Sequence, residues 1–478
     1  MLPVSGLFPL HPSGVRRCRS GARPAECDRP IVGAGPRAAL AGVLLVALLW
    51  AHPVRAQPAS PQPPARADDT AGIEPTQDIL IQGIGFSKLN LILETGADPS
   101  EDPPRLRLVR LLEKNLCWSG LFTLWGGITR YCAASSAPQR TDMKLATLSE
   151  GALLRIRLKD AGQEGLVLFE DALPFETSTE ERPVMELVNR IAERITGQPG
   201  VLGSTLAFSL RQPGFAKVVV ATTTHGQPLE LVSQNKEINI LPRWSPSGTE
   251  LVYTVLGNQG SRVFFHNLGP SGSPLGPSRF LSAAGGLNTG GAFSPDGQRL
   301  VFTMSPNQNA DLFEYNLKSR SATQLTSRIG IETQADWSPD GKQLLFVSDR
   351  SGTPQIYLMD LDTREDLRLT FEGNYNTDPR FGPDGRLILF TRRVDNIGQI
   401  FIMDTNGENV RPVTRGRFDS EQAEWSPDGR QIAFSSNRSG EFKLYVVSTD
   451  GSNLRRLTST PAGYEETNPS WTRRRMFR

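Results

Sequence analysis

"ADWSPDGKQLLFVSDRSGTPQIYLMDLDTREDLRLT", residues 335–370, holds a tight turn, two strongly apolar strands and a shorter third one. Close copies occur at 379–414 and 423–458, and looser ones precede it at 242–281 and 291–326. Aligned on the aromatic before the turn, the series runs Trp244, Phe293, Trp337, Phe381, Trp425 and Trp471, at intervals of 49, 44, 44, 44 and 46 residues. Each of the first five aromatics precedes a variant of Ser-Pro-Asp-Gly. Pro presets φ in that turn, Asp bonds the local backbone, and Gly accepts φ > 0. "QLLFV" and "QIYLM" are apolar at nearly every position, so both faces of these strands must be covered. Four short antiparallel strands, sandwiched between copies of themselves, describe a β-propeller blade.

The count closes the ring. "NPSW" with Trp471 supplies an innermost strand with nothing after it, while "STLAFSL" (204–210), "AKVVVATT" and "LELV" supply three strands with nothing before them. Together they make a sixth blade from both ends of the domain, which removes the open edges of a linear array. The fold class expected is mostly β: a six-bladed propeller over 201–478, closed by the C-terminal strand and preceded by a small α/β domain over 78–200.

Upstream, residues 1–56 read as a targeting segment. Arg16, Arg17, Arg19 and Arg37 precede an apolar run from Ala38 to Trp50, and Val54-Arg55-Ala56 places small residues at −3 and −1 of a cleavage site. So short a run suits a signal peptide better than a membrane span. The stretch before it is long for such a peptide, and a start downstream of Met1, near Val32, would fit. Residues 57–77 begin with "QPASPQPPARADDTAG"; they are too polar and Pro-rich to bury a core and read as a tether.

In the α/β region, "DILIQGI", "GALLRIRL" and "GLVLFEDA" read as strands. Asp102 is placed to cap a helix with Pro103 in its first turn and Leu106, Val109, Leu112 and Leu116 on one face. In a second helix Ser178 and Glu181 have capping-box spacing. Val184, Leu187, Val188, Ile191 and Ile195 form its stripe, and Gly197 and Pro199 end it. The segment 118–144 has no assignable pattern.

Removing residues 1–56 takes away seven Arg and two acidic residues, so 52 Lys+Arg against 50 Asp+Glu becomes 45 against 48. A near-neutral exported chain is not expected to bind nucleic acid. Cys117 and Cys132 remain, in an oxidising compartment. A bridge between them would close a loop worth roughly 3 kcal/mol; two unpaired thiols, with Cys117 buried in a helix, is the alternative.

Other motifs are weaker. "GAGPRA" (33–38) matches a dinucleotide fingerprint but is preceded by no strand. "DLDTRED" (360–366) starts like a calcium loop but lacks its Gly. Asp296, Asp340, Asp384 and Asp428 read as turn residues, one per blade on the rim. Arg350 and Arg438 are expected to bond turn carbonyls. Glu332, Asn376, Asp378, Glu421 and Glu466 are the groups that could hold a cation in the channel, although no cofactor or metal is expected. A propeller peptidase needs a catalytic α/β domain with a Gly-x-Ser-x-Gly elbow and a distant His, and no such domain is expected here. A propeller lyase needs clustered His, and only His225 and His266 remain after processing. A carbohydrate or cell-wall sensor is the other alternative.

The signal, the tether, the α/β domain, the recurring "WSPDG…SDRSG…QIYLMDLD…LT" and the junction "TGQPGVLGSTLAFS" together resemble the TolB family of the Tol–Pal envelope system. The resemblance covers about residues 75–478. It implies a non-enzymatic periplasmic adaptor, monomeric, acting in outer-membrane integrity and in constriction during cell division. Its partners would be a Pal-type peptidoglycan-associated lipoprotein at one propeller mouth and a TolA-type inner-membrane protein at the extreme N-terminus. The Pal-facing positions implied are Thr289, Gly290, Thr333, Gln334, Thr377, Asp378, Glu421 and Gln422, on loops entering the innermost strands. Gln334 stands where the family pattern would place an acidic residue, and Leu287 where it would place His. No TolA-binding stretch is recognisable in "QPASPQPPARADD".

The exported protein is expected to begin at or near Gln57. N-terminal sequencing of the mature chain checks this, and a product that retains residues 38–50 would instead be membrane-anchored.

Overall fold

Each repeat folds as a four-stranded antiparallel sheet whose strands succeed one another from the channel outward. A computed structural model describes residues 88–95, 103–128, 142–162, 166–224, 230–233, 235–258, 260–269, 274–282 and 286–472. The targeting segment, the tether, "DILIQGI", Asp102, Cys132 and His225 lie outside these residues. Five consecutive sheets form blades 1–5, with innermost strands Ile238–Trp244, Asn288–Phe293, Glu332–Trp337, Asn376–Phe381 and Ser420–Trp425. Blade 6 joins the C-terminal strand Glu465–Thr472 to Thr205–Arg211, which pairs outward with Val218–Thr223 and then Glu230–Leu231.

The turn motif locks itself. Ser338 Oγ donates to Asp340 Oδ1 at 2.6 Å, Gly341 N donates to Ser338 O at 2.9 Å with φ +72°, and Ser338 N donates to Gln343 O at 2.9 Å. The Leu-Thr signature of the outer strand also has a reason. The hydroxyls of Thr326, Thr370 and Thr414 each accept a backbone N–H of the third strand, from Leu312, Ile356 and Ile400, at 2.9 Å. Those donors would otherwise face a very short edge strand.

Blades are fastened to their neighbours through the aromatic series. The indole N–H of Trp337 donates to Ala292 O at 3.1 Å, that of Trp425 to Arg380 O at 3.3 Å, and that of Trp244 to Ser470 O at 3.1 Å. Trp471 donates instead to Ser204 Oγ at 2.7 Å, across the seam between the two ends of the propeller chain. Leu206, Phe208, Val220, Ala433, Leu444 and Trp471 form one buried cluster there, between blades 5 and 6.

Arg350 and Arg438 do not bond turn carbonyls as expected. Arg350 lies over Phe346 and Tyr357, with ring-centroid distances of 5.4 and 4.8 Å, and donates to Ser348 Oγ and Asp366. Arg438 repeats this over Phe434 and Tyr445 and donates to the Ser436 and Ser420 hydroxyls. The aromatic pair of each blade offers a π face, and a guanidinium over it is favoured by roughly 0.5–2 kcal/mol.

The α/β domain is a five-stranded sheet in the order β2-β1-β3-β4-β5: β1 (Leu89–Thr95), β2 (Phe122–Gly126), β3 (Met143–Glu150), β4 (Leu153–Asp160) and β5 (Val167–Pro174). Strand β1 is parallel to both β2 and β3, and the rest is antiparallel. Helices α1 (Pro103–Trp118) and α2 (Glu181–Thr196) share its core. Leu108, Val109, Leu112 and Leu116 are the buried stripe of α1, while Leu106 stays half-exposed. The capping box on α2 is absent. Phe175–Thr179 forms a 3-10 turn that takes up Ser178, so Glu181 is the first helical residue and not the third. Glu181 instead pairs with Lys114 of α1 at 2.8 Å. Gly197 ends α2 in the left-handed region, as the sequence suggests. Cys117 is buried and disulfide-bonded.

The junction between the two parts is tight. Val201 belongs to the seam cluster of the propeller and Leu202 to the core of the α/β domain. Asn189 of α2 clamps Leu202 by both its N–H (3.1 Å) and its carbonyl (3.0 Å), and a Cβ on Gly200 would strike the Asn189 side chain at 2.2 Å.

Replacing Trp471 by Ala is expected to cost about 3–5 kcal/mol and to lower the midpoint of cooperative unfolding of the whole propeller. Thermal or urea unfolding monitored by tryptophan fluorescence reads this. An unchanged midpoint would contradict a seam that holds the ring.

Candidate functional site: the channel mouth

The third or fourth residue of every innermost strand has a positive φ: Leu241 (+56°), Gly290 (+75°), Gln334 (+55°), Asp378 (+52°), Gln422 (+57°) and Asn468 (+57°). In each blade the pairing register with the second strand shifts at this place, so the strand bulges. Six L-residue or glycine bulges in a ring aim backbone and side chain toward the channel. Backbone strain of this kind clusters at functional sites.

Six of the eight expected contact residues, Thr289, Gly290, Thr333, Gln334, Asp378 and Gln422, line one funnel. They lie inside strands, at the bulges, and not on loops as expected. Thr377 and Glu421 are absent from this lining. Thr377 is buried behind Asp378, and the Glu421 side chain occupies the space that a Cβ on Gly398 would need, 2.7 Å away. Leu241, Arg243, Arg380 and Asn468 also line the funnel.

Long amides tie the ring together. Gln334 Oε1 accepts the Asp378 N–H at 3.0 Å while its Nε2 donates to Asp378 Oδ1 at 2.7 Å. Gln422 Oε1 accepts the Asn468 N–H at 3.0 Å. Burial pushes the Asp378 carboxyl above the usual aspartate range, against the pull of Arg380.

Below the ring the channel carries a belt of charge that sequence reasoning misses. Arg243 of blade 1 pairs with Asp336 of blade 3 at 2.7 Å and with Glu424 of blade 5, and Arg380 of blade 4 stands 3.7 Å from Glu424. The second oxygen of Asp336 accepts the Phe381 N–H at 2.9 Å. Burial raises the Glu424 carboxyl, and the two guanidiniums oppose that rise. The signal was present in the residue before each aromatic, which reads Arg, Ala, Asp, Arg, Glu, Ser around the ring.

Three of the five groups that could hold a cation are engaged elsewhere. Glu332 is buried against Arg350, Asn376 is bonded to Gln355 and Arg392, and Glu466 accepts the Leu444 N–H and the Thr458 and Thr460 hydroxyls. Among the described residues no three His, Cys, Asp or Glu gather in a metal-binding group. The turn aspartates bond their own turns, Asp428 included, although Asp428 is buried beside Arg430 where the other three are exposed.

The α/β domain packs at the other end of blade 5, where the Ser-Pro-Asp-Gly turns lie. Trp118 O accepts from Gln431, Arg455 lies 4.4 Å from the centre of the Trp118 ring, and Lys88 pairs with Asp450 at 3.4 Å. The described residues of this domain therefore leave the mouth with the bulges uncovered. The loops that lead into blades 3, 4 and 5 there expose Ile329 (93%), Phe371 (72%) and Phe418 (50%). No helix among the described residues is long and apolar enough to cross a membrane.

Six four-stranded blades closed by a C-terminal strand, with an α/β domain on one face, define a six-bladed propeller protein with an N-terminal accessory domain. The family model described as the TolB beta propeller domain matches residues 192–475, and the chain belongs to that family. The Tol-Pal system protein TolB of Bordetella pertussis is 31% identical over 120 residues, 25% of this chain and 26% of that protein. The protein of the same name from Methylococcus capsulatus is 32% identical over 128 residues, 26% and 29% of the two chains. The matched stretches thus span little more than a quarter of these curated relatives. The crystal structure of TolB from Acinetobacter baumannii superposes with a TM-score of 0.64 at 23% identity, covering 81% of this chain and 97% of that one, a likeness of fold.

Beside the funnel, burial first and the charges of Asp378 and Asp419 second push the Glu421 carboxyl from 4.5 to about 7, against Arg393. Between those values the folded chain holds a proton that the unfolded chain has released. Stability from this group therefore falls as pH rises from about 4.5 to about 7 and stays low above. Glu421→Gln is expected to stabilise the protein by about 1–3 kcal/mol at pH 8 and hardly at all at pH 4. Urea titrations at the two pH values measure it, and an equal gain at both would show that the carboxyl is not perturbed.

Proposed function

We propose that this chain is a non-enzymatic periplasmic adaptor of the Tol–Pal system. It docks a Pal-type peptidoglycan-associated lipoprotein at the bulged mouth and couples to a TolA-type inner-membrane protein through its N-terminal segment. Such coupling would serve outer-membrane integrity and constriction during division. The observation that carries the reading is the mouth itself. It presents a ring of hydrogen-bonding groups, a funnel at its centre and exposed apolar side chains at its rim, on the face that the described residues of the α/β domain leave uncovered. A polar ring around a central cavity with apolar anchors is the composition of a protein-docking surface. Family membership supports the partner class, and the curated relatives carry names that put them in the Tol–Pal system. The N-terminal arm of the proposal rests on the resemblance alone, since residues 57–87 lie outside the described residues.

Thr333→Trp, alone and with Asp378→Arg, is expected to weaken binding of the cell's own Pal-type protein by about thirtyfold or more, about 2 kcal/mol. The control changes Asp340 and Asp384, exposed turn residues at the opposite end, and should leave affinity unaltered. Calorimetric titration with a parallel thermal melt decides the matter. Equal loss from both ends, or none from the mouth, removes docking from this face.

A further inference from the structure

The ring of bulges is not uniform. Gln334, Asp378, Gln422 and Asn468 fill four places with polar side chains, and Leu241 fills a fifth. At the remaining place, in blade 2, stands Gly290, and a Cβ built there would meet nothing within 4 Å. The channel wall is open at this point. Through it the funnel reaches the second strand of blade 2, at Val301, Phe302 and Thr303, a depth it reaches in no other blade. The Gly290 N–H is already taken, donated to Thr254 Oγ1 at 3.0 Å, so the gap is one of side chain and not of backbone bonding.

The neighbouring blades show what fits such a place. Gln334 and Gln422 sit in the same backbone conformation, and each sends its amide oxygen to the N–H of the bulge residue in the next blade. By the same local symmetry, an amide at the Gly290 position would reach the N–H of Gln334. An ionised group is a poorer occupant. Of the two cations in the funnel wall, Arg243 is committed to Asp336 and Glu424, and Arg380 donates to Pro379 O at 2.7 Å and stands by Glu424, so a carboxylate would be buried without a partner of its own, which is costly.

We propose that the notch at Gly290 is a specificity site, which takes one amide-bearing side chain from the docked partner and bonds its oxygen to the Gln334 N–H. This rests on docking at the mouth, and it names the one place where the partner completes the ring in place of a residue of this chain. Gly290 is then a recognition residue and not merely a flexible one.

Gly290→Gln tests it, because glutamine is accepted in this conformation at two other places of the same ring. The variant should keep or raise the thermal midpoint and lose at least about tenfold in affinity for the Pal-type protein freed of its lipid. Wild-type affinity in a folded Gly290→Gln variant overturns the notch. If Thr333→Trp has meanwhile lost binding, docking at the mouth stands without it; if that variant also binds normally, the docking reading itself fails. The unmodified protein gives a second measurement by hydrogen exchange. The Gln334 amide should be slowed by at least about tenfold in the complex, and an unslowed amide also overturns the proposal.

Discussion

The pairing of Glu465–Thr472 with Thr205–Arg211 is the contact on which the rest depends. A propeller has no core of its own; each blade buries its faces only against two neighbours. Were the last strand unpaired, blade 6 would lose its channel wall, and blades 5 and 1 would each face a three-stranded remnant. The seam is therefore built more heavily than a single ladder. Trp471 reaches over it to Ser204, Trp244 reaches back to Ser470, and the cluster beneath draws on Leu206, Phe208, Ala433 and Leu444. Bringing the chain ends together costs loop entropy only once, whereas every blade-to-blade contact gains from the closure.

The belt of Arg243, Asp336, Arg380 and Glu424 solves a second problem of rings. Six similar blades packed around an axis have few features that fix one blade against a non-adjacent one. Ion pairs across the channel do so, since Arg243 touches blades 3 and 5 at once. Buried pairs of this sort add little net stability, because desolvation offsets most of the attraction, but a wrong arrangement leaves a charge unpaired at a cost of several kcal/mol. The belt thus acts on which ring forms more than on how firmly it holds.

Most of the architecture was legible in the sequence because a blade is written five times over. Turn chemistry, apolar strands and the Leu-Thr ending repeat in step, and the two end fragments fit together by subtraction. The same redundancy is missing from the α/β domain, where β1 and β3 give single, short patterns and the capping-box spacing at Ser178 is overridden by a 3-10 turn. At the mouth, the family resemblance implied the bulge residues, which the repeats alone did not single out. Their place inside strands was not legible, because a bulge is a property of two strands in register. The charge belt was hidden for a different reason. Each member is one residue in one repeat, and it becomes meaningful only beside residues from other repeats, such as Arg243 beside Asp336 and Glu424.

Val201 and Leu202 are consecutive residues anchored in two different cores, with Asn189 and Gly200 leaving no slack between them. Mechanically, that makes the connection a weld and not a hinge. A tug on the segment ahead of the α/β domain would not be absorbed by bending there; it would arrive as load on Val201. This residue lies in the same cluster as Leu206 and Trp471, so the load falls on the one place where the ring is shut by side chains and strand pairing alone. Such a pull would be felt first at the clasp of the propeller.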